Sequence, residues 1–559
     1  MSYHAVLWEA KSIQEFLFQS GRLRDVIGAS ELVDSLTREL LDEALKGLGM
    51  EEGKDIVFSR RAGGAFYAFS EQRQTLEDFI ALWSLLVQQY APGLAYDIGL
   101  SNGSQGYPTH LEADKSARES LRQDGSRHRP ALPIAAPITE RSRRTGLAAV
   151  AMSTGKDGVM DAGTRRKKAL SDPAHAEKNG FIRRFSPSEG QLSWKDWPMD
   201  MEPGDKNSFP YQGDNRTVAL IHADGNGLGQ LLMNARTAAK QHPEKFIDIF
   251  QTLSEGLDAC TQHAAQDAVS QVLLPARTNG QPLPARPIVL GGDDLTMLVR
   301  ADLAMPFLQA FVNAFEKRSK EFMASLETQQ VTGLPKQLTI GAGIVYLGAS
   351  QPFYLASHLA ESIMGEAKKM AKKIDKNDPP SSVVFQRITT SLVDDYDTII
   401  EREHTWQHDG THYTDTLGSY LMGSVYADHL PRLDHLPRLD DLLSLQALLG
   451  QQDMARGPTR QLLTLIGLSP GQAQSRYRRW RQLMKDNKPK AYKEFMARMK
   501  ALIPEFSEDA PLPYAELESE DASLPYAELE DEKWFSPLGD ALTLNAVKNP
   551  LQANREEVA

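Results

Sequence analysis

Two stretches of this sequence place carboxylates where they can do chemistry. In PIVLGGDDLTMLV, Gly291, Gly292, Asp293 and Asp294 stand between two apolar runs, as at the tip of a hairpin. Adjacent carboxylates repel one another, and a bound divalent cation relieves that repulsion. Two residues without Cβ atoms also let a phosphate chain approach the backbone. Alone, the motif equally suits an ordinary acidic turn, because Gly and Asp are favoured in turns. The second stretch, TVALIHADGNGLGQLL, ends an apolar strand in Asp224 and enters a helix through Gly225, Asn226, Gly227 and Gly229. In a βαββαβ unit that strand lies beside the hairpin, so Asp224 is expected close to Asp293 and Asp294. Three carboxylates from adjacent strands hold one or two Mg²⁺ or Mn²⁺ ions, which activate a 3′-hydroxyl and neutralise a leaving pyrophosphate. This is the chemistry of nucleotidyl transfer. DGNGLG is not a dinucleotide fingerprint, since no second strand with a ribose-binding acid follows at the required distance. A third stretch, EAKKMAKK, carries Glu366, Lys368, Lys369, Lys372 and Lys373. One of these lysines, a turn above the sheet, is placed to reach a triphosphate, and the others read as exposed.

The elements that must position these groups occur twice. Residues 216–375 read as strand Thr217 to Ala223, helix, a hairpin around Gly291-Gly292, helix Met305 to Leu326, strand Leu338 to Tyr346 and a last amphipathic helix from Phe353 to Lys373. Residues 1–102 give the same order, with a hairpin around Gly63-Gly64. There RRAGGAFYAF puts Ala65 and Phe66 where the carboxylates would stand, so no metal is expected in the first unit. Its glycines serve the turn, or the approach of a second nucleotide across the interface of the two units. The predicted fold class is α+β: two ferredoxin-like palm units, an irregular middle segment (103–215), a helical C-terminal domain (376–504) and an acidic tail (505–559). HLPRLD (429–434 and 435–440) and LPYAELE (512–518 and 524–530) are each present twice, as local duplications in tolerant loops.

The length of 559 residues allows three or four domains. The single cysteine, Cys260, excludes an intrachain disulfide and any site with two cysteine ligands. With no signal-like N-terminus and no run of eighteen apolar residues, a cytoplasmic protein without a membrane partner is expected. The net charge of −12 is unevenly spread. Glu505 to Glu532 holds eleven of the 74 acidic residues and no Lys or Arg, leaving 63 acidic against 62 basic residues elsewhere. Eleven basic residues fall between Arg141 and Arg184, including Arg165, Arg166, Lys167 and Lys168. Ten more fall between Arg476 and Lys500, interleaved with Tyr477, Trp480 and Tyr492. Such clusters bind phosphate backbones and stack bases, or form solvated helix faces.

In this order the motifs resemble the large subunit of type III CRISPR effector complexes, the polymerase/cyclase protein with two palm domains and a GGDD motif. The resemblance runs through SIQEFLFQSGRLRDVIGASELV, the degenerate first palm, ADGNGLG, GGDD, LTIGAGIVY, the AKK helix and the helical C-terminal part. It implies a palm that, once its complex binds target RNA, joins ATP through 3′–5′ bonds into cyclic oligoadenylate. Asp224, Asp293 and Asp294 would be the metal ligands and Lys368 a phosphate contact, with guide RNA, target RNA and other complex subunits as partners. Three departures stand out. The chain starts at the palm instead of a His-Asp nuclease domain, and its only His-Asp pair, His408-Asp409, lies in another region, so DNA cleavage is not expected. The stretch TERSRRTGLAAVAM has no cysteines where relatives carry a zinc cluster, so no zinc is expected. The family's DxDN becomes Asp224-Gly225-Asn226-Gly227, with Asn226 in place of the second acid as a weak ligand or nucleotide contact.

Three other functions compete with this one. One is an idle scaffold that binds RNA through its basic clusters, and another is a palm joining AMP to an acceptor such as S-adenosylmethionine. A GTP-using GGDEF-like cyclase ranks lower, because Leu295 and Thr296 follow the acidic pair and the first palm has no place there.

Overall fold

The computed structural model describes residues 2–123, 135–152, 158–172, 180–187, 192–204, 206–211, 216–388, 395–424, 436–451, 454, 456–516 and 533–548. The acidic stretch beyond 516, the second LPYAELE copy and the first HLPRLD copy lie outside them.

The first unit comprises β1 (His4–Lys11), α1 (Ile13–Phe18), α2 (Leu23–Leu36), α3 (Glu39–Leu48), β2 (Val57–Ala62), β3 (Ala65–Ser70), α4 (Arg73–Tyr90) and β4 (Ala95–Leu100). Its antiparallel sheet runs β2-β3-β1-β4, the ferredoxin-like order. Side chains alternate across a strand. Ala5 and Leu7 of β1 therefore enter one core while Val6 and Trp8 enter another. Trp8 packs against Phe66 and Trp83 with ring centroids 5.5 Å away in each case.

The middle segment is irregular, as the sequence suggests. After α5 (His110–Gln123) come the short pair β5 (Ala151–Met152) and β6 (Val159–Met160), then α6 (Ala162–Leu170). Asp161 caps α6 by accepting from Thr164 N at 3.0 Å. This helix lies so close to α2 that a Cβ on Gly28 would collide with the Lys167 carbonyl.

The second unit repeats the first: β7 (Thr217–Gly225), α7 (Leu228–Gln241), α8 (Phe246–Ala268), β8 (Ala285–Gly291), β9 (Asp294–Arg300), α9 (Ala301–Thr328), β10 (Ile340–Gly348) and α10 (Phe353–Ile374). Its order, β10-β7-β9-β8, matches that of the first sheet. Both faces of β7 are covered, with Ala219, Ile221 and Ala223 in one core and Val218 and Leu220 in the other. Both cores also draw on the first sheet, so the two units share their interior.

Beyond residue 376 the chain is at first not helical, which corrects the sequence expectation for that stretch. Strand β11 (Ser381–Arg387) pairs parallel to β10 and extends the palm sheet past the expected boundary. A hairpin of β12 (Thr405–His408) and β13 (Thr411–Thr414) follows, with His408-Asp409 leading into its turn. Strand β14 (Ser419–Met422) then pairs with β11. The helical region is α11 (Leu439–Gly450), α12 (Arg456–Leu468), α13 (Pro470–Asn487) and α14 (Pro489–Leu502).

Residues beyond 505 also contribute to the fold instead of forming only a tail. Strands β15 (Ala515–Glu516) and β16 (Lys533–Phe535) join the β12-β13 hairpin in a four-stranded sheet. Helix α15 (Leu538–Val547) buries Leu538, Ala541 and Leu544. Its Asp540 accepts from Thr416 Oγ1 (2.8 Å), Leu417 N (2.9 Å) and Tyr420 Oη (2.5 Å). Among the described residues no helix is long and apolar enough to cross a membrane.

Candidate active site

The last pair of the β8-β9 ladder is Gly291 with Asp294, so the turn itself is Gly292-Asp293. Gly292 adopts φ +63°, the left-handed backbone that a two-residue hairpin turn asks of glycine. Strands β7 and β9 pair Ala223 with Leu295, and one step further along Asp224 comes beside Asp294. Oxygens of Asp224, Asp293 and Asp294 lie within 4.8 Å of one another. Gly225 leaves room for this, since a Cβ there would sit 2.9 Å from Asp293 Oδ2. An all-carboxylate donor set is the hard-oxygen chemistry that Mg²⁺ and Mn²⁺ prefer, so the residues fit such an ion.

The electrostatics agree with that fit. Burial first, and then the charge of Asp224, push the Asp293 carboxyl from its ordinary 3.8 up to about 8. Asp294 reaches solvent at the rim, yet it too is raised well above the ordinary range, by desolvation against the surrounding walls and then by Asp224 and Asp293. Each shift records the cost of holding a carboxylate away from water and then beside its neighbours' charge, which a cation offsets.

Lys368 supplies part of that offset. Its Nζ pairs with Asp224 and donates to the Gly225 carbonyl at 3.0 Å. Gly341 faces Asp224 across the β10-β7 ladder, and a Cβ there would collide with Lys368 Cγ, so this glycine of LTIGAGIVY opens the lysine's path. Lys369, Lys372 and Lys373 are exposed or partly so at the surface, and Lys369 approaches Glu366 at 3.4 Å. Asn226 is buried beside the triad, but its Nδ2 is spent on Thr339 Oγ1 (3.1 Å) and Pro380 O (3.4 Å). Its Oδ1 has no hydrogen-bond partner among the described residues.

In the first unit the ladder closes at Ala62 with Ala65, leaving Gly63-Gly64 as the turn at φ +61° and +67°. The counterparts of Asp293 and Asp294 are therefore Gly64 and Ala65, one place earlier than aligning the two Gly-Gly pairs suggests. The offset arises because Gly291 closes its strand pair instead of entering the turn. Glu9 faces Ala65 and so corresponds to Asp224, a role that sequence reasoning missed. Only the shared apolar-strand-then-acid pattern of AVLWEA and ALIHAD signals it. Glu9 is tied up by Lys11 (2.5 Å) and the Tyr67 hydroxyl (2.6 Å).

The two glycine turns abut. A Cβ on Gly291 would lie 3.3 Å from Gly63 Cα. Beside them opens a cavity of 510 Å³ lined by Ser12, Gln14, Gly64, Gly291, Asp294 and Glu361, among others. This lies in the range of small-ligand sites. Ser12 holds φ +51°, which is uncommon for a residue with a Cβ.

The basic clusters divide: Arg141, Arg165, Arg478, Arg479, Lys490 and Lys493 are exposed, while other members are drawn into the interior. Arg144 pairs with the buried Asp25, and Lys167 is buried, donating to the Phe16 carbonyl. Arg184, only 7% exposed, binds Asp34 at 2.8 Å and Asp258 at 2.6 Å. Tyr477 and Tyr492 are buried, and Trp480 packs on Tyr477 and Phe495 instead of standing free for bases.

Residues 217–378 match the family model described as Cas10/Cmr2, second palm domain. No curated protein matches the chain. Among solved structures, the chain is similar to a Csm1–Csm4 cassette in complex with one ATP, at 13% identity and TM-score 0.47 over 98% of this chain and 70% of that one. It is also similar to a Csm1–Csm4 subcomplex of the type III-A CRISPR-Csm interference complex, at 12% identity and TM-score 0.44 over 97% and 70%. A third is a Csm1–Csm4 cassette in complex with cA4, at 13% identity and TM-score 0.40, where the match covers 69% of this chain and about half, 54%, of that one. Residues 217–378, the core of the second unit, are thus similar to the Cas10/Cmr2 second palm domain. The likeness to the CRISPR large subunit read from the sequence is borne out over this palm.

Proposed function

We propose that the chain is a metal-dependent nucleotidyltransferase, the large subunit of a type III CRISPR effector, converting ATP to cyclic oligoadenylate when its complex binds target RNA. The observation that carries this reading is the convergence of Asp224, Asp293 and Asp294 beside a cavity flanked by two glycine-containing turns. The Cas10/Cmr2 palm match over the same residues supports it.

Asp224, Asp293 and Asp294 would hold Mg²⁺ or Mn²⁺, which when bound lowers the pKa of a 3′-hydroxyl and screens the charge of a departing pyrophosphate. The chain's own groups do the rest. Gly63, Gly64 and Gly291, which line the cavity, let a polyphosphate lie against backbone. Lys368, held at Asp224, is placed to meet phosphate charge once a cation takes over the carboxylates. The walls of the cavity, drawn from both units, restrict water and orient two nucleotides for in-line attack of the 3′-oxygen on an α-phosphorus, with pyrophosphate leaving.

The test is mass spectrometry of the reaction of ATP, Mg²⁺ or Mn²⁺ and target RNA with the chain assembled with its partner subunits. Cyclic oligoadenylate is the expected product. An AMP adduct of another acceptor would redirect the reading, and recovery of unchanged ATP would refute it.

A further inference from the structure

The GGDD turn has little of its own to hold it in place, because Gly291 and Gly292 contribute no side chains and glycine backbone is the least self-constrained. Its anchors come from outside the hairpin. Arg184 Nη1 donates to Leu290 O at 2.5 Å. Thr261 Oγ1 lies 2.6 Å from Gly292 O, and 3.1 Å from Leu257 O within its own helix. Asp258 Oδ1 accepts from Gly292 N at 3.4 Å. The peptide groups on the N-terminal side of Asp293 are thus gripped on one face by α8 and by the Phe181–Phe185 turn of the middle segment.

That grip is itself braced. Arg184 spends its remaining donors on Asp34 (2.8 Å), Asp258 (2.6 Å) and Gln262 (3.2 Å). Arg38 binds Asp258 at 2.8 Å and approaches Asp34 at 3.4 Å. Asp34 belongs to α2 of the first unit, so the network joins the first unit, the middle segment and α8 at the back of the turn. A planar guanidinium that satisfies four acceptors at once fixes positions more tightly than a point charge does.

We infer that Arg184, Asp258 and Thr261 are positioning residues for the GGDD turn, setting where Asp293 and Asp294 stand relative to Asp224. None of them belongs to the carboxylate triad. Their effect on turnover rests on the proposed nucleotidyl transfer, whereas their effect on the turn and on metal affinity does not.

The variants are Thr261→Val, which keeps the shape and removes the donor, Thr261→Ser, which keeps the donor, and Arg184→Lys, which keeps the charge and loses the fork. Each is made in the full chain. Hydrogen exchange of residues 288–296 is measured without metal, Mn²⁺ affinity by calorimetry, and kcat and KM for ATP in the assembled complex. Thr261→Val and Arg184→Lys are expected to speed exchange across 288–296 while 217–223 stays protected. They are also expected to weaken Mn²⁺ binding about tenfold, the scale of one lost hydrogen bond. In turnover, kcat falls while KM for ATP changes little, and Thr261→Ser behaves as wild type in all three measurements. Wild-type exchange and Mn²⁺ affinity in both Thr261→Val and Arg184→Lys would overturn the inference, as would a Thr261→Ser variant as defective as Thr261→Val. A wild-type protein that binds Mn²⁺ but leaves ATP intact would instead count against the proposed function, with the exchange and affinity measurements still deciding the positioning role.

Discussion

Replacing Asp293 by Asn should stabilise the metal-free protein, and more so at high pH than at low pH. The folded protein holds the Asp293 carboxyl at about 8, against an ordinary 3.8. Between those values the folded state keeps a proton that the unfolded chain releases, so stability falls as pH rises through that window and levels off above it. About four pKa units at 1.36 kcal/mol each set an upper bound of roughly 5 kcal/mol. The solvent reaching Asp224, whose side chain is 26% exposed, screens part of this, leaving ~2 kcal/mol. Because the two units share their interior and unfold as one larger block, that is a rise in Tm of about 2–4 °C. The assay is thermal unfolding in chelator at pH 5 and pH 8. Asp293→Asn should melt well above wild type at pH 8 and much closer to it at pH 5. Mn²⁺ should raise the wild-type Tm and leave the variant nearly unmoved. A variant no more stable than wild type at pH 8, or an equal gap at both pH values, would refute the reasoning.

Three further outcomes follow from the same geometry. Mn²⁺ affinity measured by calorimetry should climb at least severalfold between pH 6 and pH 8, with proton release on binding, because the raised carboxyls of Asp293 and Asp294 must ionise to ligate. Gly341→Ala should cost about 1–3 kcal/mol in a urea titration by driving a Cβ into Lys368, and it should dislodge that lysine from Asp224. Asp540→Ala should destabilise the C-terminal part by ~3 kcal/mol, seen as faster proteolysis there, because it strands the Thr416 and Tyr420 hydroxyls and the Leu417 amide; Mn²⁺ affinity should not change.

The palm architecture was legible because each strand alternates its buried residues between two cores and the same order of elements occurs twice. Asp224, Asp293 and Asp294 were legible because a βαββαβ unit has one sheet order, which fixes the strands those acids end. Other features had no local signature. The one-residue offset between the two glycine turns depends on which glycine closes the ladder, and both hairpins read GG in sequence. Strands β11 and β14 belong to the palm only through pairing with β10 and with each other. Arg184 read as one member of a basic cluster because its partners Asp34 and Asp258 lie 150 and 74 positions away. Charge counting cannot distinguish a guanidinium that meets phosphate from one buried against two aspartates.

The central claim is that Asp224, Asp293 and Asp294 act together on ATP. Its most direct test is pyrophosphate release from ATP by the RNA-bound complex, comparing wild type with a chain carrying both Asp293→Asn and Asp294→Asn. The expected result is Mg²⁺- or Mn²⁺-dependent release by wild type and none above background by the variant, with both chains folded and assembled alike. Equal release by the two, or none by either, would contradict it.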